Sequence, residues 1–193
     1  MSKLYFKYGT MGSSKTAQLL MTKRNYEDKN MNTWLIKPII DNRDGVNVVR
    51  SRIGLHEDAD TVINTTDNIL DIFHSLDKNI DVILCDEAQF LTTAQVEQLH
   101  YISSNSNINV MCFGLLTDFT SHLFEGSKRL IEISESIQEL KTVCRCGKKA
   151  TINARICDGK IVSEGEQVQI GGDEMYESMC YNCWVKRMVE QMS

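Results

Sequence analysis

The stretch GTMGSSKT, residues 9–16, constrains the fold more than any other part of the chain. It follows Leu4–Tyr8, which read as a strand, and runs into Ala17, Gln18 and Leu19, which open a helical pattern. A strand, a glycine-rich turn and a helix in that order make a concavity where backbone N–H groups and a helix N-terminus face one anion. The stretch matches the phosphate-loop pattern G-x-x-x-x-G-K-[ST], except that Ser14 stands where the second glycine is usual. Gly9 and Gly12 let the backbone curl, Lys15 offers a point charge to β and γ phosphates, and Thr16 offers a hydroxyl to Mg²⁺. Thr10, Met11, Ser13 and Ser14 complete the candidate nucleotide loop. Ser14 is expected to take a helical N-terminal conformation and still present its N–H.

The surrounding pattern suits such a loop. Thr33–Lys37, Asp81–Cys85 and Asn109–Phe113 read as further strands, being short and rich in β-branched, aromatic or aliphatic residues. Lys15–Asp28, Asp67–Leu76 and Thr92–Ser103 carry helical spacing, with Thr92 and Thr93 as N-cap hydroxyls for the last. Strands alternating with helices predict the α/β class, a parallel-rich sheet flanked by helices. Pro38 is expected to follow a strand and to open the loop at 41–50.

A second signal lies in VILCDEAQF, residues 82–90, an apolar strand that ends in two adjacent carboxylates. Acids at the C-terminal end of a strand lie where α/β sheets bind ligands. Asp86 fits the acid that binds Mg²⁺ directly or through water. Glu87 fits a base that takes a proton from an attacking hydroxyl or orients a water. Alone, each motif has a bland reading, a Gly/Ser-rich turn or a solvated strand end; together they point to phosphoryl transfer.

After about residue 141 the pattern changes. Ala150–Arg155 and Lys160–Ser163 read as two strands around Asp158-Gly159, a strong hairpin signal. This divides the chain into units at 1–141 and 142–193. Four of the seven cysteines cluster here as Cys144-Arg-Cys146 and Cys180-Tyr-Asn-Cys183. Four thiolates can close a tetrahedral shell around a structural Zn²⁺, and Gly147 permits the tight turn after the first pair. Cys85 and Cys112 lie within strands and read as buried thiols; Cys157 sits beside the hairpin. Between the cysteine pairs, Gly171-Gly172 and Tyr176 suggest a clasp over a substrate, tied at both ends by one metal.

Composition narrows the partners. With 26 acidic against 21 basic residues the net charge is −5, so no overall basic field exists to hold a nucleic acid or other long polyanion. No run approaches about 18 consecutive apolar residues and no secretory signal is evident, so a cytoplasmic protein with no membrane partner is expected. The rival is a RecA-like ATPase acting on a nucleic acid through a basic face at Lys148, Lys149, Arg155 and Lys160, which nearby acids offset. A degenerate, non-catalytic nucleotide binder is a third reading, prompted by Ser14.

Taken together, GTMGSSKT, DEAQF at 86–90, GLLTDFTSHLF at 114–124, TVCRCGKKA at 142–150 and EGEQVQIGGDEMYESMC at 164–180 resemble the zinc-containing thymidine kinases. The resemblance runs in family order over nearly the whole chain. It implies transfer of the γ-phosphate of ATP to the 5′-hydroxyl of thymidine, by a RecA-like P-loop domain with a small zinc-binding β-rich lasso domain, in a homotetramer. Residue by residue, it implies that Gly9 to Thr16 hold the triphosphate and that Glu87 is the general base. Asp86, Glu87, Ala88 and Gln89 would line the nucleotide site. Phe119 would sit against thymine, Gln167, Val168, Gln169, Ile170 and Gly171 would contact it largely through backbone, and Tyr176 would contact the nucleoside. KPIIDNRDGVNVVRSRIG at 37–54 also resembles the family, with Asp41, Arg43 and Arg52 near the phosphates. The C-x-C spacing of the first cysteine pair is one that some bacterial members share.

Overall fold

Alternate residues of the apolar strands face opposite ways, so a sheet built from them needs cover on both faces. The chain supplies that cover with helices between strands. The computed structural model describes residues 2–40, 45–167 and 175–192. In chain order these form β1 (Leu4–Tyr8), α1 (Lys15–Glu27), β2 (Thr33–Pro38), β3 (Val48–Arg50), β4 (His56–Asp58), β5 (Thr61–Ile63) and α2 (Ile69–His74). There follow β6 (Val82–Cys85), a single 3₁₀ turn (Ala88–Phe90), α3 (Thr93–Asn105), β7 (Asn109–Gly114), α4 (Glu125–Ile133) and β8 (Ser136–Glu139). The chain ends with β9 (Ile152–Cys157), β10 (Lys160–Ile161), β11 (Tyr176–Met179) and α5 (Tyr181–Met192).

Six strands make one sheet in the order β5-β2-β6-β7-β1-β8, and every pairing in it is parallel. The α/β expectation is met. One strand, β7, lies between β1, which carries the phosphate loop, and β6, which carries Asp86 and Glu87. Phe6, Trp34, Ile36, Ile83, Val110 and Cys112 pack on one face beneath Val96, Leu99, Ile102 and Leu130 of α3 and α4. Leu35, Leu84 and Phe113 pack on the other beneath Leu19 and Leu20 of α1.

The second unit is a three-stranded antiparallel sheet, β10-β9-β11, with its own buried cluster of Ile152, Ala154, Ile161 and Met179. Asp158 and Gly159, at φ 48° and 75°, make the expected tight turn between β9 and β10.

Several boundaries differ from expectation for local reasons. Pro38 ends β2 instead of following it; β6 pairs β2 only as far as Ile36, so the missing proline N–H interrupts no ladder there. The helix expected at Asp67–Leu76 shortens to Ile69–His74, because Asn68 caps it through the amides of Leu70 and Asp71. Thr92 alone caps α3, in a capping box with Gln95, while the Thr93 hydroxyl instead donates to Glu125 at 2.9 Å.

Candidate nucleotide and nucleoside site

The phosphate loop is held open from behind. Lys15 turns its Nζ back onto the carbonyls of Gly9 and Thr10, at 3.2 and 3.1 Å. Gly9 donates its N–H to the Gly114 carbonyl at 3.3 Å, and a Cβ on Gly9 would lie 2.4 Å from both the Leu140 carbonyl and the Ser13 hydroxyl. Only glycine fits here, between the loop's own Ser13 and the backbone that follows β8. Thr10 Oγ1 and Ser13 Oγ are buried with no hydrogen-bond partner among the described residues. Buried hydroxyls without partners are costly, so a loop that keeps two of them is suited to an oxygen-rich anion.

Ser14 corrects the expectation of a helical conformation. It sits in the left-handed region at φ 62°, ψ 27°, where the usual glycine would be at ease. Its carbonyl still accepts the N–H of Gln18 at 3.0 Å and starts α1.

The loop meets the acids across the sheet edge. Thr16 Oγ1 donates to Asp86 Oδ2 at 3.0 Å, with Oδ1 at 3.3 Å. Burial, followed by the neighbouring charge of Glu87, pushes Asp86 up to about 7. A buried carboxylate beside a phosphate loop is a natural seat for a cation, which would replace the proton. Glu87 lies in the left-handed region at φ 48°, ψ 38°, a strained position of the kind that aims side chains at functional sites. Gln89 donates its Nε2 to the Glu87 carboxylate and accepts the Leu115 N–H on its Oε1 at 2.9 Å. A Cβ on Gly114 would meet that Oε1 at 2.6 Å, so Gly114 makes room for the bridge. Ala88, in the turn between them, is fully buried. The guanidinium of Arg52 comes within 3.4 Å of where a Gly12 Cβ would stand. Asp41 and Arg43 lie outside the described residues.

The second unit grips the loop. The Met11 N–H donates to Asn153 Oδ1 at 2.8 Å, and Ser178 Oγ donates to the Met11 carbonyl at 2.5 Å. Asn153 also donates to the Thr117 carbonyl at 3.2 Å. Asn153 and Ser178 are paired across β9 and β11, as are Arg155 and Tyr176 two residues along. Tyr176 is a residue the sequence singles out; Asn153, Ser178 and Arg155 are site neighbours that motif reading passes over. The signal for two of them is alternation: Ile152, Ala154 and Ile156 share one face of β9, and Asn153 and Arg155 share the other.

Phe119, expected against thymine, is buried beneath the Arg155 guanidinium, 3.7 Å from its ring centroid. Tyr176 accepts from Arg155 Nε at 3.0 Å, and Gln167 donates to Asp118 at 2.9 Å. Phe119, Tyr176 and Gln167 therefore converge. Val168, Gln169, Ile170 and Gly171 lie outside the described residues. Arg155 is 3% exposed, so it does not join Lys148, Lys149 and Lys160 in a surface patch, and Lys149 is paired with Glu139 at 2.9 Å.

The Sγ atoms of Cys144, Cys146, Cys180 and Cys183 lie within 4.8 Å of one another, with 3.6 Å between those of Cys146 and Cys180. Tetrahedral Zn–S bonds of about 2.3 Å put sulfurs about 3.8 Å apart, so the set fits Zn²⁺. Backbone amides of Cys146 and Cys180 donate to Cys144 and lower it to about 6, while bonds to the other three thiols push Cys183 up to about 12. Thiols this close share their protons, and metal entry would release those that remain. Cys85 and Cys112 are buried and apart from this cluster; Cys157 is exposed.

An anion cradle that opens onto a strand-end acid pair places the chain among the P-loop nucleotide-binding proteins. A thymidine kinase family profile matches residues 2–184. The chain is 44% identical over 183 residues to the thymidine kinase of Rhodopirellula baltica, covering 93% of this chain and 86% of that one. It is 44% identical to the thymidine kinase of Pasteurella multocida, over 93% and 95% of the two chains. It is 45% identical to the thymidine kinase of Enterobacteria phage T4, over 95% and 96%. The chain belongs to the thymidine kinase family. Among solved structures, the Pif1 helicase from Candida albicans is 12% identical with a TM-score of 0.43, covering 75% of this chain and 37% of that chain. Nothing about nucleic acid follows from so low a likeness.

Proposed function

We propose that the chain transfers the γ-phosphate of ATP to the 5′-hydroxyl of thymidine, giving thymidine monophosphate and ADP. The observation that carries this reading is the Thr16–Asp86 hydrogen bond, with Glu87 fixed by Gln89 one residue further on. Residues Gly9 to Thr16 hold the triphosphate, with Thr10 and Ser13 offering their unpartnered hydroxyls and Lys15 leaving its carbonyl contacts for phosphate oxygens. Thr16 and Asp86 would hold Mg²⁺, which supplies charge neutralisation between the β and γ phosphates. As the 5′-oxygen attacks the γ-phosphorus, Glu87 takes the hydroxyl proton and ADP departs. Phe119, Gln167 and Tyr176 face the nucleoside, with the stretch at 168–171 completing its cover. Zn²⁺ on Cys144, Cys146, Cys180 and Cys183 is structural, since four protein ligands leave no open position. In the same reading, residues 1–141 form the nucleotide-binding unit and 142–193 the zinc-binding lasso unit of a cytoplasmic homotetramer.

The test is a phosphoryl-transfer assay with ATP, Mg²⁺ and each of the four deoxynucleosides. Thymidine monophosphate should form preferentially, and Glu87→Gln should lower kcat by about 10²–10⁴ while leaving ATP binding near wild type. ATP hydrolysis stimulated by single-stranded DNA, without nucleoside phosphorylation, would establish the rival instead. Near-normal turnover in Glu87→Gln would remove Glu87 as the base.

A further inference from the structure

A buried guanidinium carries five N–H donors and a charge that must be balanced by what surrounds it. Arg155 is 3% exposed, yet among the described residues it makes no ion pair. Its partners are four neutral groups instead. The plane covers the Phe119 ring at 3.7 Å, Nε donates to the Tyr176 hydroxyl at 3.0 Å, and Nη2 donates to the carbonyls of Glu166 and Gln167 at 3.0 and 3.4 Å.

These partners come from different parts of the chain. Phe119 belongs to the segment after β7, Tyr176 to β11, and Glu166 and Gln167 to the stretch after β10. Gln167 then returns to the first segment through its 2.9 Å bond to Asp118. The arrangement closes a ring around one side chain. A core that needed only filling would be served by an apolar residue of similar volume, at no desolvation cost. A stacked plane with donors along its edges has a different property, since it fixes an aromatic ring, a phenol and a backbone segment relative to one another.

We propose that Arg155 is the positioning residue of the nucleoside side of the site. It sets Phe119 and Tyr176 at a fixed separation and anchors the incoming end of the chain at Glu166 and Gln167. This deepens the proposed function and rests on it for the identity of the nucleoside. Arg155 itself acts through these neighbours and leaves the phosphate loop to other contacts.

Lysine keeps the charge of Arg155 but has neither its plane nor its fork, and methionine keeps much of the volume without the charge. Arg155→Lys and Arg155→Met are therefore compared with wild type in two measurements. The first is cleavage after Glu164 or Glu166 by a glutamate-specific protease, which needs no nucleoside. Both variants should be cut about tenfold faster than wild type there, because the anchored carbonyls lose their donors. The second is steady-state kinetics, where a misplaced ring and phenol should raise the KM for thymidine about tenfold or more with the KM for ATP unchanged. A purely structural role would move both KM values together or neither.

Unchanged cleavage overturns the anchoring. Faster cleavage with an unchanged thymidine KM, or with a matching rise for ATP, overturns the positioning role. If wild type itself fails to phosphorylate thymidine, the functional reading fails, and the cleavage measurement then decides the anchoring by itself. If Arg155→Met does not fold, Arg155→Lys carries both measurements.

Discussion

Ser14 and Glu87 are non-glycine residues held at positive φ, 62° and 48°, on the two sides of the phosphate site. For Ser14 the geometry resolves what its sequence position raised. The residue has adopted the glycine conformation instead of altering the loop, so its N–H already points where a glycine's would. Ser14→Gly should relieve left-handed strain of about 1–2 kcal/mol, partly offset by greater freedom of the unfolded chain. A net gain of about 0.5–1 kcal/mol should raise Tm by about 1–4 °C, measured by thermal unfolding, with ATP affinity unchanged within about twofold. Tighter ATP binding in the variant would mean that Ser14 does distort the cradle. Asp86 gives the pH-dependent counterpart. Its folded pKa, raised to about 7 by burial first and by Glu87 second, lies above its ordinary 3.8. A raised carboxyl favours the folded state below the ordinary value, and that contribution is lost as pH rises through about 7. Asp86→Asn removes the group, so its Tm should gain more over wild type at pH 8 than at pH 5. An equal difference at both pH values would show that Asp86 is not held in its protonated form.

At the scale of elements, legibility in the sequence followed the strength of local signals. The strands β2, β6 and β7 are readable as short runs rich in apolar residues that are largely buried, and β1 is readable from Leu4 and Phe6, which are buried on one face between partly buried neighbours. The start of α3 was readable from Thr92, and the β9–β10 turn from Asp158-Gly159. By contrast, β3 and β4 are three residues each, largely exposed, and stabilised by pairing with each other. The helix α4 begins at Phe124 without a side-chain cap and carries Gly126 in its first turn, a residue that propensity argues against. Packing explains that glycine: a Cβ there would lie 2.6 Å from the carbonyls of Ala88 and Leu91. The site divides in the same way. Lys15, Thr16, Asp86 and the cysteines belong to motifs, whereas Asn153, Ser178 and Arg155 act only through strand pairing that brings distant segments together. The link that most needs testing is Asn153, which occupies both the Met11 amide and the Thr117 carbonyl. Asn153→Ala would leave the Met11 N–H without its acceptor, at about 1–3 kcal/mol. The KM for ATP should rise about tenfold, read in the same assay that reports the thymidine KM. No change for ATP would mean that the loop tip needs no support from β9.

For the whole molecule, that grip makes the metal and the nucleotide parts of one mechanical system. The small sheet buries few apolar groups, and a unit of about 50 residues rarely holds together on such a core. The four-cysteine cluster joins the turn at 144–147 to the start of α5, clamping β9 and β11 between them. Asn153 and Ser178 lie on those strands and hold both polar atoms of the Met11 backbone. Zn²⁺ held by these four thiols would therefore bear on ATP binding through structure, although four protein ligands leave no place for a phosphate. The two tryptophans separate the units: Trp34 is fully buried in the large sheet, and Trp184 packs against the zinc unit beside Tyr181. Stripping the metal with a chelator should redshift the emission of Trp184 while that of Trp34 stays blue, and Trp184→Phe should show no shift. The same metal-free protein should keep the circular dichroism of its parallel sheet and bind ATP about tenfold more weakly, with both properties restored by Zn²⁺. Unaltered ATP affinity in protein shown by elemental analysis to be metal-free would break the link between the two units. Loss of the Trp34 environment along with that of Trp184 would show instead that the parallel sheet cannot stand without the zinc unit.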